Sequence, residues 1–288
     1  MSEPKPSYHS NPTEPKLKLP AGACDAHFHV FGPQAKFAFA EKRTYTPADA
    51  PKEVLIDRHM FLGIERGVVV QSAAHGFDNS AAADLLAEKK GSYFGVALVP
   101  TNVDMAELKR LDTQGFRGVR FNYVKHLGGG PPPAEVMKLA AKLASLGWHL
   151  QIHLESSQVS ELTPPLKLSP VPVVIDHMGR PDASQGLDQP GFGHLLKLME
   201  DKRFWVKVSG LERASRQGSP WSDATPFARK LVTDFGDRTV WGSDWPHPNL
   251  EAIPDDGVLV DLVGEFTSEA QRQALLVDNP QRLYKFTS

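Results

Sequence analysis

The chain has 288 residues, 41% of them hydrophobic, and a formal net charge of −2 with its histidines neutral. That balance argues against nucleic acid or an anionic membrane as the main partner, and the length allows one large domain or two small ones. Cys24 is the only cysteine, so no intrachain disulfide can form.

The first eighteen residues, ending in TEPKLK, are polar and proline-rich. They contain no apolar targeting core and no cleavage signal, and no run approaches the ~20 apolar residues of a membrane span. Residues 1–18 are expected to be a flexible tail, residues 19–288 a single domain, and the compartment the reducing cytoplasm. Eight β-rich runs follow, at Ala23–Val30, Arg66–Ser72, Tyr93–Val99, Phe116–Asn122, Trp148–Leu154, Val171–Met178, Phe204–Ser209 and Arg238–Trp245. Several are near-continuous in Val, Ile and Leu, as in parallel strands buried on both faces. Helical patterns lie between them at Asp78–Lys90, Val103–Thr113, Ala134–Leu146, Ser157–Leu166, Phe192–Asp201 and Ala224–Asp234, with a last one at Ser268–Val277. Gly or Pro marks most boundaries. Strand–helix alternation on this scale predicts an α/β fold, a (β/α)8 barrel. An open doubly wound sheet is the alternative, but no G-x-G-x-x-G follows the first strand. The flexible segment LGGGPPP (Leu127–Pro133) reads as the fourth βα-loop.

In such a barrel the chemistry sits at the C-terminal ends of the strands. His27 and His29 end strand one, His75 follows strand two, and Arg120, Lys125 and His126 follow strand four. His153 ends strand five, His177 and Arg180 follow strand six, Arg213 follows strand seven and Asp244 ends strand eight. One such histidine is usually a core residue; a ring of them with an aspartate points to a site. Two chemistries are open. His27, His29, His153, His177 and Asp244 are candidate ligands of a zinc-like cation with a bound water. Alternatively, Asp244 deprotonates water directly while histidines polarise a carbonyl. The cations Arg120, Lys125, Arg180 and Arg213 suit an anionic substrate, since arginine forks match carboxylates. Asp25 reads as a partner orienting a histidine or as a local turn cap. Asp176 should face away from His177, by strand alternation.

The motifs DAHFHVFGP, IDHMGRPD and WGSDWPHPN, with HGFDN and RGVRFN between them, resemble the amidohydrolase superfamily, and within it the 2-pyrone-4,6-dicarboxylate lactonase branch. The likeness runs from about Leu19 to Tyr284. It implies a distorted barrel that opens a carboxylated lactone, 2-pyrone-4,6-dicarboxylate, to its ring-opened acid (4-oxalomesaconate) in aromatic-acid catabolism. Asp244 would be the general base, and His27, His29 and His177 would surround the lactone carbonyl. Arg120, Arg180 and Arg213 would clamp the ring carboxylates, and Tyr45 would add a further substrate hydrogen bond; Lys125, His75, His126 and His153 are further candidate substrate contacts. The branch is expected to work without a cofactor, one zinc or manganese ion being the alternative. This chain departs from the branch pattern at His126, where an arginine is expected, and at His153, where a tyrosine is expected. His153 is a metal-ligand type in other amidohydrolases. Hydrolysis of a related lactone such as 4-sulfomuconolactone, or metal-dependent decarboxylation of an aromatic acid, are the alternative activities. A non-catalytic binder is disfavoured by the intact His27, His29, His177 and Asp244.

Overall fold

The computed structural model describes residues 6–287. Eight strands, β1 (Cys24–Phe28), β2 (Arg66–Val70), β3 (Tyr93–Ala97), β4 (Phe116–Asn122), β5 (His149–His153), β6 (Val173–Ile175), β7 (Phe204–Val208) and β8 (Thr239–Trp241), pair in chain order. Every pairing is parallel. Between successive strands run α1 (Lys52–Leu62), α2 (Ser80–Glu88), α3 (Met105–Thr113), α4 (Pro133–Leu146), α5 (Val159–Leu166), α6 (Pro190–Met199), the short turn α7 (Leu211–Ala214) and α8 (Thr225–Phe235). Helix α9 (Asp256–Phe266) follows β8. The result is the expected (β/α)8 barrel, closed except for one seam. A small apolar cluster that includes Cys24, Ala26, Val68, Val70, Val174 and Val240 is built largely from strand residues. A larger cluster joins the helices to the other face of the sheet.

The strand centres agree with the sequence pattern, but two ends do not. Strands β6 and β8 are three residues each, because their last expected residues leave extended geometry. His177, Met178 and Arg180 take positive φ (49°, 54° and 53°), as does Asp244 (61°). Two helices of 11 residues each escaped the sequence reading. Helix α1 buries Leu55 and Leu62 together with Arg58 and His59, so it shows no apolar stripe. Helix α9 starts at Asp255, whose side chain accepts the N–H groups of Gly257 and Val258. The expected helix Ser268–Val277 is a short α10 (Glu269–Gln273) that widens into a π-turn over Ala274–Asp278.

The seam lies between β8 and β1. No ladder joins these strands. The Asp244 N–H donates to the His27 carbonyl and the His29 N–H to the Trp245 carbonyl, each at 2.8 Å. The buried Asp25 carboxylate does the rest. It accepts the His27 N–H (2.9 Å), the Ser243 N–H (3.1 Å) and the Ser243 hydroxyl (2.5 Å). His59 Nε2 of α1 approaches it at 3.4 Å. Asp25 thus clasps two strands, a larger task than either one expected from sequence. Gly242 makes the approach feasible, since a Cβ there would lie 2.5 Å from His27 Cβ.

The segment before Leu19 runs against this region. The Tyr8 ring packs on Trp245 with centroids 5.1 Å apart, and Arg58 donates to the His9 carbonyl. The Thr13 N–H and hydroxyl donate to Asp255, and the Leu17 N–H donates to Asp261. Among the described residues no helix is long and apolar enough to cross a membrane.

Candidate active site

A cavity of about 430 Å3, counted to its open mouth, lies at the C-terminal ends of the strands. Its lining includes His29, Tyr45, Arg120, His126, His153, His177, Arg180, Arg213 and Asp244. Nine of the twelve residues singled out from sequence therefore meet on one wall. Ser72, Leu127, Pro248 and Asn249 also line it; they went unnoticed because polar or apolar loop residues of these types carry no pattern. The loop after β4, which the sequence placed at the barrel mouth, supplies His126 and Leu127.

Three expected residues lie elsewhere. His75 is buried outside the lining. Its Nδ1 donates to the Ala38 carbonyl (3.0 Å) and its Nε2 accepts the Gly32 N–H (3.3 Å), so both nitrogens are spent within the protein. Lys125 is exposed to solvent and sits outside the lining. His27 is wholly buried and sits beneath the cavity, its ring 4.5 Å from that of His177.

Asp244 is the centre. The Nε2 atoms of His29, His27 and His177 lie 3.5, 3.6 and 3.9 Å from its Oδ1. Its Oδ2 accepts from Arg213 Nε at 2.6 Å. Burial alone would raise its carboxyl, but Arg213 and then the histidines hold it well below the usual carboxylate range. It is therefore ionised at neutral pH. Burial lowers His177 to about 4 against the pull of Asp244, so this imidazole is neutral. His27 and His153 are held well below the ordinary histidine value, first by burial and then by Lys207 and Arg120 respectively.

The rings have definable hydrogens. His29 Nδ1 faces the Val70 carbonyl at 2.7 Å. A carbonyl only accepts, so Nδ1 carries a proton and Nε2 is the nitrogen that faces Asp244. His153 Nδ1 faces Asn122 Oδ1 (3.1 Å), while its Nε2 lies 3.3 Å from Arg180 Nη1. A guanidinium only donates, so His153 Nε2 accepts and Nδ1 carries the proton. That lone pair is committed to Arg180.

Beneath the cavity lies a second charged layer. Asp176 Oδ2 accepts from Arg120 Nε (2.8 Å) and from Gln151 Nε2 (3.2 Å). Its Oδ1 lies 3.4 Å from His27 Nδ1 and 3.8 Å from Lys207 Nζ. Asp176 thus points inward, as His177 does, against strand alternation. The left-handed backbone that begins at His177 swings that side chain back to the cavity. Burial would raise the Asp176 carboxyl, but Arg120, His27 and Lys207 hold it well below its usual range. Lys207, fully buried on β7, is pushed down to about 8 by burial, against the pull of Asp176. Sequence reading passed over it. The signal was there: a lysine inside the apolar strand FWVKV, two residues before Ser209 on the same face.

Of the three cavity arginines, Arg120 and Arg213 are paired with carboxylates. Arg180, among the described residues, is not in a salt bridge. It is the cation open to an incoming anion. His27, His177 and Asp244 offer donor atoms within 4.8 Å of one another, near enough for one divalent cation; His29 and His153 are not in that set.

Comparisons with known proteins agree with this geometry. The amidohydrolase family model matches residues 24–286. The 2-pyrone-4,6-dicarboxylate hydrolase of Comamonas testosteroni is 46% identical, over 96% of this chain and 94% of that one. The 4-sulfomuconolactone hydrolase of Hydrogenophaga intermedia is 37% identical, over 97% and 93%. A crystal structure of a probable 2-pyrone-4,6-dicarboxylic acid hydrolase from Acinetobacter baumannii, with citric acid bound, superposes with a TM-score of 0.82 at 27% identity, covering 92% of this chain and all of that one. On the extent of the family match and the identity to these hydrolases, the chain belongs to the amidohydrolase family.

Proposed function

We propose that this protein is a lactonase that hydrolyses a small lactone carrying two carboxylates, with 2-pyrone-4,6-dicarboxylate as substrate and the ring-opened acid as product. The observation that carries the reading is an ionised, buried aspartate facing three imidazoles, beside an arginine that has no carboxylate partner among the described residues. Two relatives named above are hydrolases of anionic lactones, one of 2-pyrone-4,6-dicarboxylate and one of 4-sulfomuconolactone.

The roles follow from the hydrogen-bond inventory. Asp244 Oδ1 accepts one hydrogen of a water, and His29 Nε2 accepts the other when the ring's single proton is on Nδ1. Asp244 takes one proton as the water oxygen attacks the lactone carbonyl. The carbonyl oxygen gains negative charge, which His177 Nε2–H stabilises when Ser209, 3.0 Å from Nδ1, donates to that nitrogen. The tetrahedral intermediate collapses, the ring C–O bond breaks, and the departing enolate oxygen takes the proton from Asp244. Arg180 receives one ring carboxylate; Arg120 and Arg213, with Tyr45, meet the rest of the substrate.

Replacing Arg180 with Gln is expected to raise KM about 10–100-fold, the loss of one charge-assisted contact of roughly 1.5–3 kcal/mol. The change in kcat should be smaller. Steady-state kinetics decide this; an unchanged KM removes Arg180 from the substrate site.

No cofactor is required in this reading. The four cations Arg120, Arg180, Arg213 and Lys207 crowd the donor set, and each repels a further positive ion. Chelator-treated, metal-analysed protein is expected to consume 2-pyrone-4,6-dicarboxylate at the untreated rate, followed by loss of ring absorbance. Activity lost on chelation and restored by zinc or manganese would make His27, His177 and Asp244 ligands. Inactivity in both states, with turnover of 4-sulfomuconolactone, would move the substrate to the sulfonated lactone, whose second anion the same arginines can bind. The work is assigned to the cytoplasm, where a lone buried thiol stays reduced.

A further inference from the structure

The mechanism leaves the buried Lys207 unused. Lys207 Nζ donates to the Ala26 carbonyl at 2.7 Å and lies 3.2 Å from His27 Nδ1. Asp176 Oδ1 is near the same nitrogen at 3.4 Å and makes no hydrogen bond. On the far side of the ring, His27 Nε2 is buried, without a hydrogen-bond partner among the described residues, 3.6 Å from Asp244 Oδ1.

His27 has two neutral forms, and the two neighbours of Nδ1 favour opposite ones. Asp176 is an acceptor and asks for a proton on Nδ1. Donation from Nδ1 to Asp176 would leave a bare lone pair on Nε2, aimed at the Asp244 carboxylate. That form is the one a divalent cation needs, with a carboxylate behind the imidazole and an open nitrogen in front. Lys207 is a donor and asks for the reverse. An ammonium has no lone pair, so it can meet Nδ1 at 3.2 Å only if that nitrogen accepts. The proton is then on Nε2, facing Asp244. The Lys207 contact is the shorter of the two, and the resulting N–H meets a carboxylate instead of opposing it.

We infer that Lys207 is a positioning residue that holds His27 in its Nε2–H form, and so turns a metal-ligand pair of histidine and carboxylate into a metal-free one. His27 then steadies the Asp244 carboxylate from beneath, and its nitrogen is closed to cations. The set His27, His177 and Asp244 satisfies the distances of a metal site but lacks the open nitrogen.

The inference rests on the lactonase reading only for its kinetic consequence, so the test uses two readouts that need no substrate. The first is nitrogen NMR of histidine-labelled wild-type protein, with His27 assigned by its absence in His27→Gln. His27 is expected to carry its proton on Nε2; a proton on Nδ1 overturns the inference, whatever the lactone assays give. The second is titration of Lys207→Met with zinc, followed by calorimetry. Freed of the ammonium, His27 is expected to move its proton toward Asp176, and zinc affinity to rise at least about tenfold over wild type. Zinc affinity equal to wild type in a folded variant, with the His27 proton still on Nε2, overturns it. If Lys207→Met does not fold, the wild-type spectrum decides alone. Should the protein prove inactive on every lactone while both readouts come out as expected, the lactonase reading fails and the role of Lys207 stands.

Discussion

Asp244→Asn should lower kcat by about 10²–10⁴-fold, the span of a lost general base, while the protein stays folded and still binds carboxylated ligands. The carboxylate is the one group in the cavity that is ionised, buried and within reach of a water shared with His29. An amide is the same size and offers Arg213 an oxygen, so the pairing at Oδ2 survives. What disappears is the acceptor of the proton. Because Asp244 would both take a proton from water and return it to the leaving oxygen, the loss should fall on kcat more than on KM. Calorimetry with a non-hydrolysable dicarboxylate, run beside kinetics, separates the two. Retained turnover in the Asn variant would exclude Asp244 as the base and move the search to His29 Nε2, which faces Asp244 Oδ1.

The largest expected loss of stability comes from a residue outside the cavity. Asp25→Ala should destabilise the fold by about 3–5 kcal/mol, the cost of stripping one partner from a buried charged cluster. For a chain of this size that corresponds to a melting midpoint lower by roughly 10 °C. Asp25 accepts from both sides of the seam, two backbone N–H groups and the Ser243 hydroxyl. With alanine, those donors are left buried and unpaired. Asp25→Asn keeps one acceptor oxygen and should fall between the two. Activity is expected to drop with stability, since the same seam sets the spacing between His27, His29 and Asp244. A melting curve within about 2 °C of wild type for Asp25→Ala would show that the two backbone bonds across the seam suffice.

Much of this molecule was open to reading before any coordinates. The strand centres were legible because apolar runs buried on both faces have no other reading of comparable length. His29, His177 and Asp244 were legible because each follows such a run. What lay hidden depended on departures from regular geometry. Asp176 and His177 both face inward because the backbone enters the left-handed region at His177, and sequence alternation assumes that it stays extended. His75 has the right place in the chain and the wrong neighbours, a pair of backbone groups that consume its nitrogens. The positions of His27 and Lys207 were fixed by their contacts with each other across the barrel, from β1 to β7, a separation no local pattern spans.

The positive φ of Asp244 limits how this site can change over generations. Aspartate and asparagine are the two common residues, glycine aside, that accept that backbone at low cost. A lineage drifting away from hydrolysis can therefore pass through asparagine with its turn intact, and arrives at a protein that still holds the anion. Glutamate, the other carboxylate, carries a longer stem and no such backbone tolerance. An ancestor or an engineer placing a longer carboxylate there would have to bear that backbone strain, as the chain already does at His177, Met178 and His247. The proposed base is thus favoured twice, once by its proton chemistry and once by the turn on which it sits.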